Sequence, residues 1–149
     1  MTVITIRQIN FKADIESILT LEQDIFKEDA FPFFEFVYLY MRGKETFLIA
    51  HEGKQLAGYI SVYVEEDMAY IASIAVDNNF RRQGIGRQLI QHIIDILQRN
   101  NKVTSIELHV RKSNHAAIEL YKTLGFTVSF TELEYYGDED AFVMRLALD

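Results

Sequence analysis

In Ile74-Ala75-Val76-Asp77-Asn78-Asn79-Phe80-Arg81-Arg82-Gln83-Gly84-Ile85-Gly86-Arg87, an apolar strand end passes through turn residues into the start of a helix bearing two glycines. The helix that follows carries Ile85, Leu89, Ile90, Ile93, Ile94 and Leu97 on one face, and Asn100-Asn101 ends it. At a helix start the backbone N–H groups are unpaired and the dipole is positive, so a pyrophosphate can bind there if no side chain blocks its approach. Gly84 and Gly86 keep that approach open. Taken alone, the glycines fit an ordinary strand-to-helix turn with arginines in solvent equally well. A Walker A loop is excluded for want of Lys followed by Ser or Thr. A Rossmann fingerprint is excluded too, because Leu89 stands where its third glycine belongs.

Before this stretch, Val3, Ile4 and Ile6 alternate with Thr5 and Arg7 as a strand does, and Asp14 to Phe26 places Ile15, Ile18, Leu19, Leu21, Ile25 and Phe26 near helical spacing. Pro32 breaks that helix and starts another over Phe33 to Met41. Thr46 to His51, Leu56 to Val64 and Met68 to Val76 read as an antiparallel meander turning first at Glu52-Gly53-Lys54. After the glycine-bearing helix, Ser105 to Arg111 alternates again, with Glu107, His109 and Arg111 opposite Ile106, Leu108 and Val110. A short helix follows, capped by Ser113 or Asn114, striped by Ala117, Leu120, Tyr121 and Leu124, and stopped by Gly125. Strands over Val128 to Tyr136 and Ala141 to Leu148 close the chain. The order is β-α-α-β-β-β-α-β-α-β-β, an α/β (α+β) mixed sheet with helices on both faces.

The 149 residues, 49% hydrophobic, suit a single domain spanning 1–149, and one proline with no Ser- or Gly-rich tract leaves no linker. Fifteen Lys and Arg against 22 Asp and Glu give a net charge of −7, which argues against nucleic acid and favours a cationic partner such as an amine. With no cysteine, thiolate nucleophiles, disulfides and zinc-cysteine sites are excluded. His51, His92, His109 and His115 lack ligand spacing, so no metal is expected. No signal peptide and no membrane span are expected, and the compartment reads as reducing and cytoplasmic.

Arg81-x-x-Gly84-x-Gly86 after Ile74-Ala75-Val76, followed by Asn114-x-x-Ala117-x-x-Leu120-Tyr121-x-x-x-Gly125-Phe126, resembles the acetyl-CoA-dependent GNAT N-acetyltransferases over nearly the whole chain. Leu108-His109-Val110-Arg111-Lys112-Ser113-Asn114 and Tyr135-Tyr136-Gly137-Asp138-Glu139-Asp140-Ala141 are similar to the protein N-terminal (Nα) acetyltransferases within it, the ribosomal-protein alanine acetyltransferase type and its archaeal and eukaryotic relatives. The resemblance implies the GNAT acyl-CoA N-acyltransferase fold, with acetyl-CoA as co-substrate. It further implies that the backbone of Ile74, Ala75 and Val76 pairs with the pantetheine arm, which Asn114 also touches, and that Arg82, Gln83, Gly84, Ile85, Gly86 and Arg87 surround the pyrophosphate.

The same resemblance places Tyr121 near the cofactor sulfur as general acid, where core packing is the plainer reading of the residue. His109 departs from the ribosomal-protein branch, which has a glutamate there. Some eukaryotic relatives pair a histidine at this position with a tyrosine on the fourth strand, matched here by Tyr70, and work through ordered water. Phe31, Pro32 and Phe33 match the stretch lining a first-residue pocket, and Tyr135 and Tyr136 a pair holding peptide backbone, although aromatics pack readily in cores and sheets.

The expected reaction is direct acetyl transfer to a primary amine in a ternary complex, with a protein or peptide N-terminus as acceptor and a monomer or homodimer as the working form. A protein α-amine, with a pKa of ~7.7–8.0 against roughly 10.4 for lysine, needs only a weak base. The rival readings are a small-molecule amine acetyltransferase, for polyamines or antibiotics, and a non-catalytic acyl-CoA sensor.

Overall fold

The computed structural model describes residues 3–99 and 101–149. Strands β1 (Thr5–Gln8), β2 (Phe47–Glu52), β3 (Gln55–Glu65), β4 (Met68–Val76), β5 (Ser105–Arg111), β6 (Thr127–Glu132) and β7 (Ala141–Ala147) form one sheet in the order β1-β2-β3-β4-β5-β7-β6. Helices α1 (Phe11–Phe26) and α2 (Phe33–Arg42) cover one face, while α3 (Ile85–Gln98) and α4 (His115–Thr123) cover the other. The element order and the meander are those expected from the pattern of the chain. All sheet neighbours run antiparallel except β4 and β5.

The two cores follow from the periodicities. Ile85, Leu89, Ile90, Ile93 and Leu97 of α3 pack onto Ile60, Val62, Ile106 and Leu108, and the apolar stripe of a helix on the apolar face of a sheet is what burial favours. On the other face Ile15, Ile18, Leu21, Phe36 and Leu39 meet Phe47, Ile49 and Tyr59. Phe36 and Tyr59 are fully buried and pack edge to face at 6.1 Å, each burial contributing roughly 1.5–3 kcal/mol.

Three boundaries differ from the sequence-based expectation by two residues or more, and the others by one at most. Helix α1 starts at Phe11 instead of Asp14, because Asn10 accepts from the Ala13 N–H at 3.3 Å and caps it. Strand β6 stops at Glu132 and does not reach Tyr136. There the Asp140 carboxylate captures the Glu134 N–H at 2.8 Å, Glu134 turns to a φ of 52°, and Gly137 donates back to the Glu134 carbonyl at 2.9 Å. A side chain that binds backbone locally outcompetes the ladder in this segment. Strand β1 begins at Thr5, after Val3 and Ile4. The helix stop expected at Asn100-Asn101 falls partly on Asn100, outside the described residues. Among the described residues no helix is long and apolar enough to cross a membrane.

Candidate active site

The sheet splits at its centre. β4 and β5 pair only between Met68–Tyr70 and Ser105–Glu107; beyond that, β4 stays with β3 and β5 with β7. The edge of β4 from Ile71 to Val76 therefore has N–H and C=O groups with no strand opposite them, including those of Ile74, Ala75 and Val76. A bulge sharpens the divergence: Ser73 pairs with Ser61 and Ile71 with Val62, leaving Ala72 extra.

The unpaired edge leads to the start of α3. Arg82 and Gly84 both adopt positive φ, 64° and 76°, and Gly84 precedes the helix without a side chain to cap it. The helical ladder opens with Gln88 donating to the Gly84 carbonyl at 3.0 Å, so the N–H groups of Ile85, Gly86 and Arg87 point out of the helix end. A Cβ on Gly84 would meet nothing within 4 Å, whereas one on Gly86 would lie 3.2 Å from Leu120 Cδ2. The two glycines thus have different reasons: Gly84 makes the turn, and Gly86 lets α4 approach α3. Arg87 fastens the two helices from outside by donating to Thr123 Oγ1 at 2.6 Å. Arg81, Arg82 and Gln83 are exposed around this end. A cradle of open backbone donors with arginines about it fits a pyrophosphate.

Tyr121 of α4 packs on Phe126 at 5.9 Å. Burial pushes its phenol up to about 12, and among the described residues no side chain or backbone group hydrogen-bonds its hydroxyl. Asn114 caps α4, its Oδ1 accepting from the Ala117 N–H at 3.2 Å, while Ser113 instead donates through its N–H and hydroxyl to Glu139 at 2.7 and 2.9 Å.

On the opposite face of the split lies a polar and aromatic cluster. The His109 ring stacks on Tyr135 at 4.1 Å with 16° between planes, and its Nε2 lies 3.4 Å from Glu132 Oε1. Tyr135 packs edge-on against Tyr136 at 4.9 Å. Arg111 lies 4.4 Å over the Tyr136 ring and binds Asp29 through Nε at 3.1 Å, Asp138 at 2.9 Å and Glu139 at 3.1 Å. This one guanidinium holds the loop between α1 and α2 against the loop between β6 and β7. The carboxylates in turn keep the Arg111 guanidinium well above its ordinary pKa, the Asp29 hydrogen bond foremost.

Tyr70 stands beside Glu107 in the parallel register and stacks on Tyr63 at 5.3 Å. Partial burial, with the Glu107 charge next to it, raises its phenol pKa. Glu107 is buried and accepts from Arg145 Nε at 2.7 Å, which commits its carboxylate.

The fold therefore gathers His109, Tyr135 and Tyr136 directly. Tyr70 shares their face by its register beside Glu107 but makes no contact with His109 among the described residues, and Tyr121 sits across the split. The acceptor-side stretch is divided. Phe31 is half-buried and leans edge-on onto Phe36 at 6.0 Å, while Phe33 is 52% exposed and turns to Phe11 at 6.1 Å. Sequence reasoning passed over Arg111, Glu132 and the buried Glu22. Arg111 had a signal, since it alternates with His109 on the polar face of β5. Two surface hollows along α1, one lined by Glu16, Thr20 and Asp24 and the other by Arg7, Asp14 and His51, share no residue with this cluster.

A strand pair that parts to expose one backbone edge, leading to an uncapped helix start, can receive an extended amide-bearing ligand with its pyrophosphate at the helix. The chain belongs to the acetyltransferase (GNAT) family, whose model matches residues 13–126. It is 36% identical over 141 residues to the [ribosomal protein bS18]-alanine N-acetyltransferase of Escherichia coli K12, covering 91% of this chain and 92% of that one. The crystal structure of the Escherichia coli enzyme superposes with a TM-score of 0.81 at 33% identity, over 99% of this chain and 95% of that one. Ard1 from Thermoplasma volcanium gives 0.89 at 28% identity, over 98% of both chains.

Proposed function

We propose that the enzyme acetylates the N-terminal α-amine of a protein or peptide, in the cytoplasm, by direct transfer within a ternary complex. The observation that carries this reading is the His109, Tyr135 and Tyr136 cluster, in which the loop between β6 and β7 lies against β5 and is tied by Arg111 to the loop between α1 and α2. That arrangement offers an extended peptide backbone aromatic walls and hydroxyl groups, which a small amine has no means to use. The relation to an enzyme that acts on a ribosomal-protein alanine supports the same choice.

Bound acetyl-CoA supplies an activated acetyl thioester. The open edge at Ile74, Ala75 and Val76 would pair with its amide-bearing arm, and the N–H groups of Ile85, Gly86 and Arg87, with Arg82, Gln83 and Gly84 beside them, would hold its pyrophosphate. Asn114 borders the arm while capping α4. As the C–N bond forms and the C–S bond breaks, His109 takes the amine proton through water, with Tyr70 ordering that water. Glu132 steadies the imidazole. Tyr121 donates to the departing sulfur; a phenol near 12 keeps its proton until a thiolate, of pKa roughly 8.5 by analogy with cysteine, is there to accept a hydrogen bond. Phe31 and Pro32 wall the pocket for the first side chain, with Phe33 at its rim.

Peptides beginning Met-Leu, Ser-Glu and Ala-Arg, compared with a blocked peptide bearing a free lysine and with spermidine, test the acceptor. The expected order puts Met-Leu first, since burying a side chain of that size contributes ~1.5–3 kcal/mol, roughly ten- to hundredfold in kcat/KM. A preference for spermidine would establish the small-amine reading instead, and absence of any turnover with intact acetyl-CoA binding would establish the sensor.

The pyrophosphate assignment has its own test. Reversing charge at the helix start with Arg82→Glu is expected to weaken acetyl-CoA binding by about tenfold or more at low salt, and less at high salt, read by calorimetry. Unchanged affinity would place the phosphates elsewhere.

A further inference from the structure

Glu22 of α1 carries an acidic side chain into the core beneath the helix, where it is 2% exposed. Its Oε2 accepts from the Phe31 N–H at 2.9 Å; its Oε1 accepts from Ser73 Oγ at 2.8 Å and from the Tyr59 hydroxyl. Among the described residues no cation pairs with it. An unpaired buried carboxylate is costly, and packing alone would favour an apolar residue at this place on the helix.

The three donors come from the three parts that must meet for transfer. Phe31 opens the acceptor-side stretch, Tyr59 lies on β3 opposite Ala75, and Ser73 immediately precedes Ile74 on the open edge of β4. The β4 bulge is what brings Ser73 here. Strict alternation would put it on the face of Ala69 and Ile71, packed towards α3, but the extra Ala72 turns Ser73 to the α1 side.

We infer that Glu22 is a positioning residue, which fixes the height of the first-residue pocket over the thioester by tying the Phe31 backbone to β4. The inference rests on the proposed transfer to an N-terminal amine. It assigns Glu22 no proton transfer: the carboxylate works as a three-way acceptor, with Phe31 set by one oxygen and the strand by the other.

The test compares Glu22→Ala and Glu22→Gln with the wild type on the Met-Leu and Ala-Arg peptides, together with acetyl-CoA affinity by calorimetry. Glutamine can offer its carbonyl to the Phe31 N–H and its amide protons to Tyr59 and Ser73, whose hydroxyls turn to accept. Glu22→Ala is expected to lose about 10²-fold in kcat/KM and most of the Met-Leu preference, with acetyl-CoA affinity within about twofold, while Glu22→Gln recovers most of both. A folded Glu22→Ala with wild-type rate and preference overturns the inference. So does an equal loss of peptide turnover and acetyl-CoA affinity, which marks a merely structural group, and so does a Glu22→Gln as impaired as Glu22→Ala, which marks a proton carrier. If Glu22→Ala fails to fold, Ser73→Ala decides: a reduced first-residue preference supports the tie, and an unchanged one overturns it. A wild type that acetylates no peptide N-terminus defeats the acceptor reading on its own, before any variant is compared.

Discussion

Replacing Tyr121 by Phe is expected to lower kcat by about 10²–10³-fold and to leave acetyl-CoA affinity within about twofold. The substitution removes one hydroxyl and keeps the ring that packs on Phe126. That hydroxyl is held in a buried environment with no protein partner among the described residues, and burial raises it to about 12, so it stays a donor throughout neutral pH. On the proposed mechanism the acceptor that this free hydroxyl meets is the sulfur of the bound thioester. Because the phenol is a far weaker acid than a thiol, its contribution is a hydrogen bond to developing negative charge. The loss should therefore grow as the leaving thiol is made more basic. Thioester analogues with leaving groups of graded pKa measure this, and a variant insensitive to the leaving group would remove Tyr121 from the sulfur.

His109→Ala is expected to lower kcat/KM for the peptide by about 10²–10⁴-fold, while the glycine-bearing helix start continues to bind acetyl-CoA. No neighbour stands ready to substitute. Glu107, next on that face of β5, has its carboxylate engaged by Arg145, and Glu132 lies beyond the ring it supports. A kcat/KM within about threefold of wild type over roughly pH 6 to 9 would place the base elsewhere. In that case Tyr70, packed on Tyr63 beside Glu107, would be the next side chain to replace.

Much of this architecture is legible in the amino-acid sequence because its signals are local. The apolar stripe of α3 repeats at helical spacing, β5 alternates cleanly between Ile106, Leu108, Val110 and their polar neighbours, and Asn114 and Gly125 punctuate α4. The motif joining Arg81, Gly84 and Gly86 marked the helix start for the same reason: turn geometry and dipole act over a few residues. Where alternation failed, as beyond Glu132, the cause was also near in the chain: Asp140, six residues on from the Glu134 N–H that it binds, was enough to end the strand.

The amino-acid sequence by itself determined the element order, the family, the two helix-facing cores and the residue types at the site, all of which depend on periodicity, capping and short motifs. Only the tertiary structure decided how those residues meet. The opening between β4 and β5, the bulge that turns Ser73 to Glu22, the stacking of His109 on Tyr135, and the grip of Arg111 on Asp29 and Glu139 join segments far apart along the chain. Such contacts leave no periodic trace, because each is set by the register of strands and the packing of loops upon them, and a one-residue shift in β4 or β5 would send Ser73, or His109 and Arg111, to the other face.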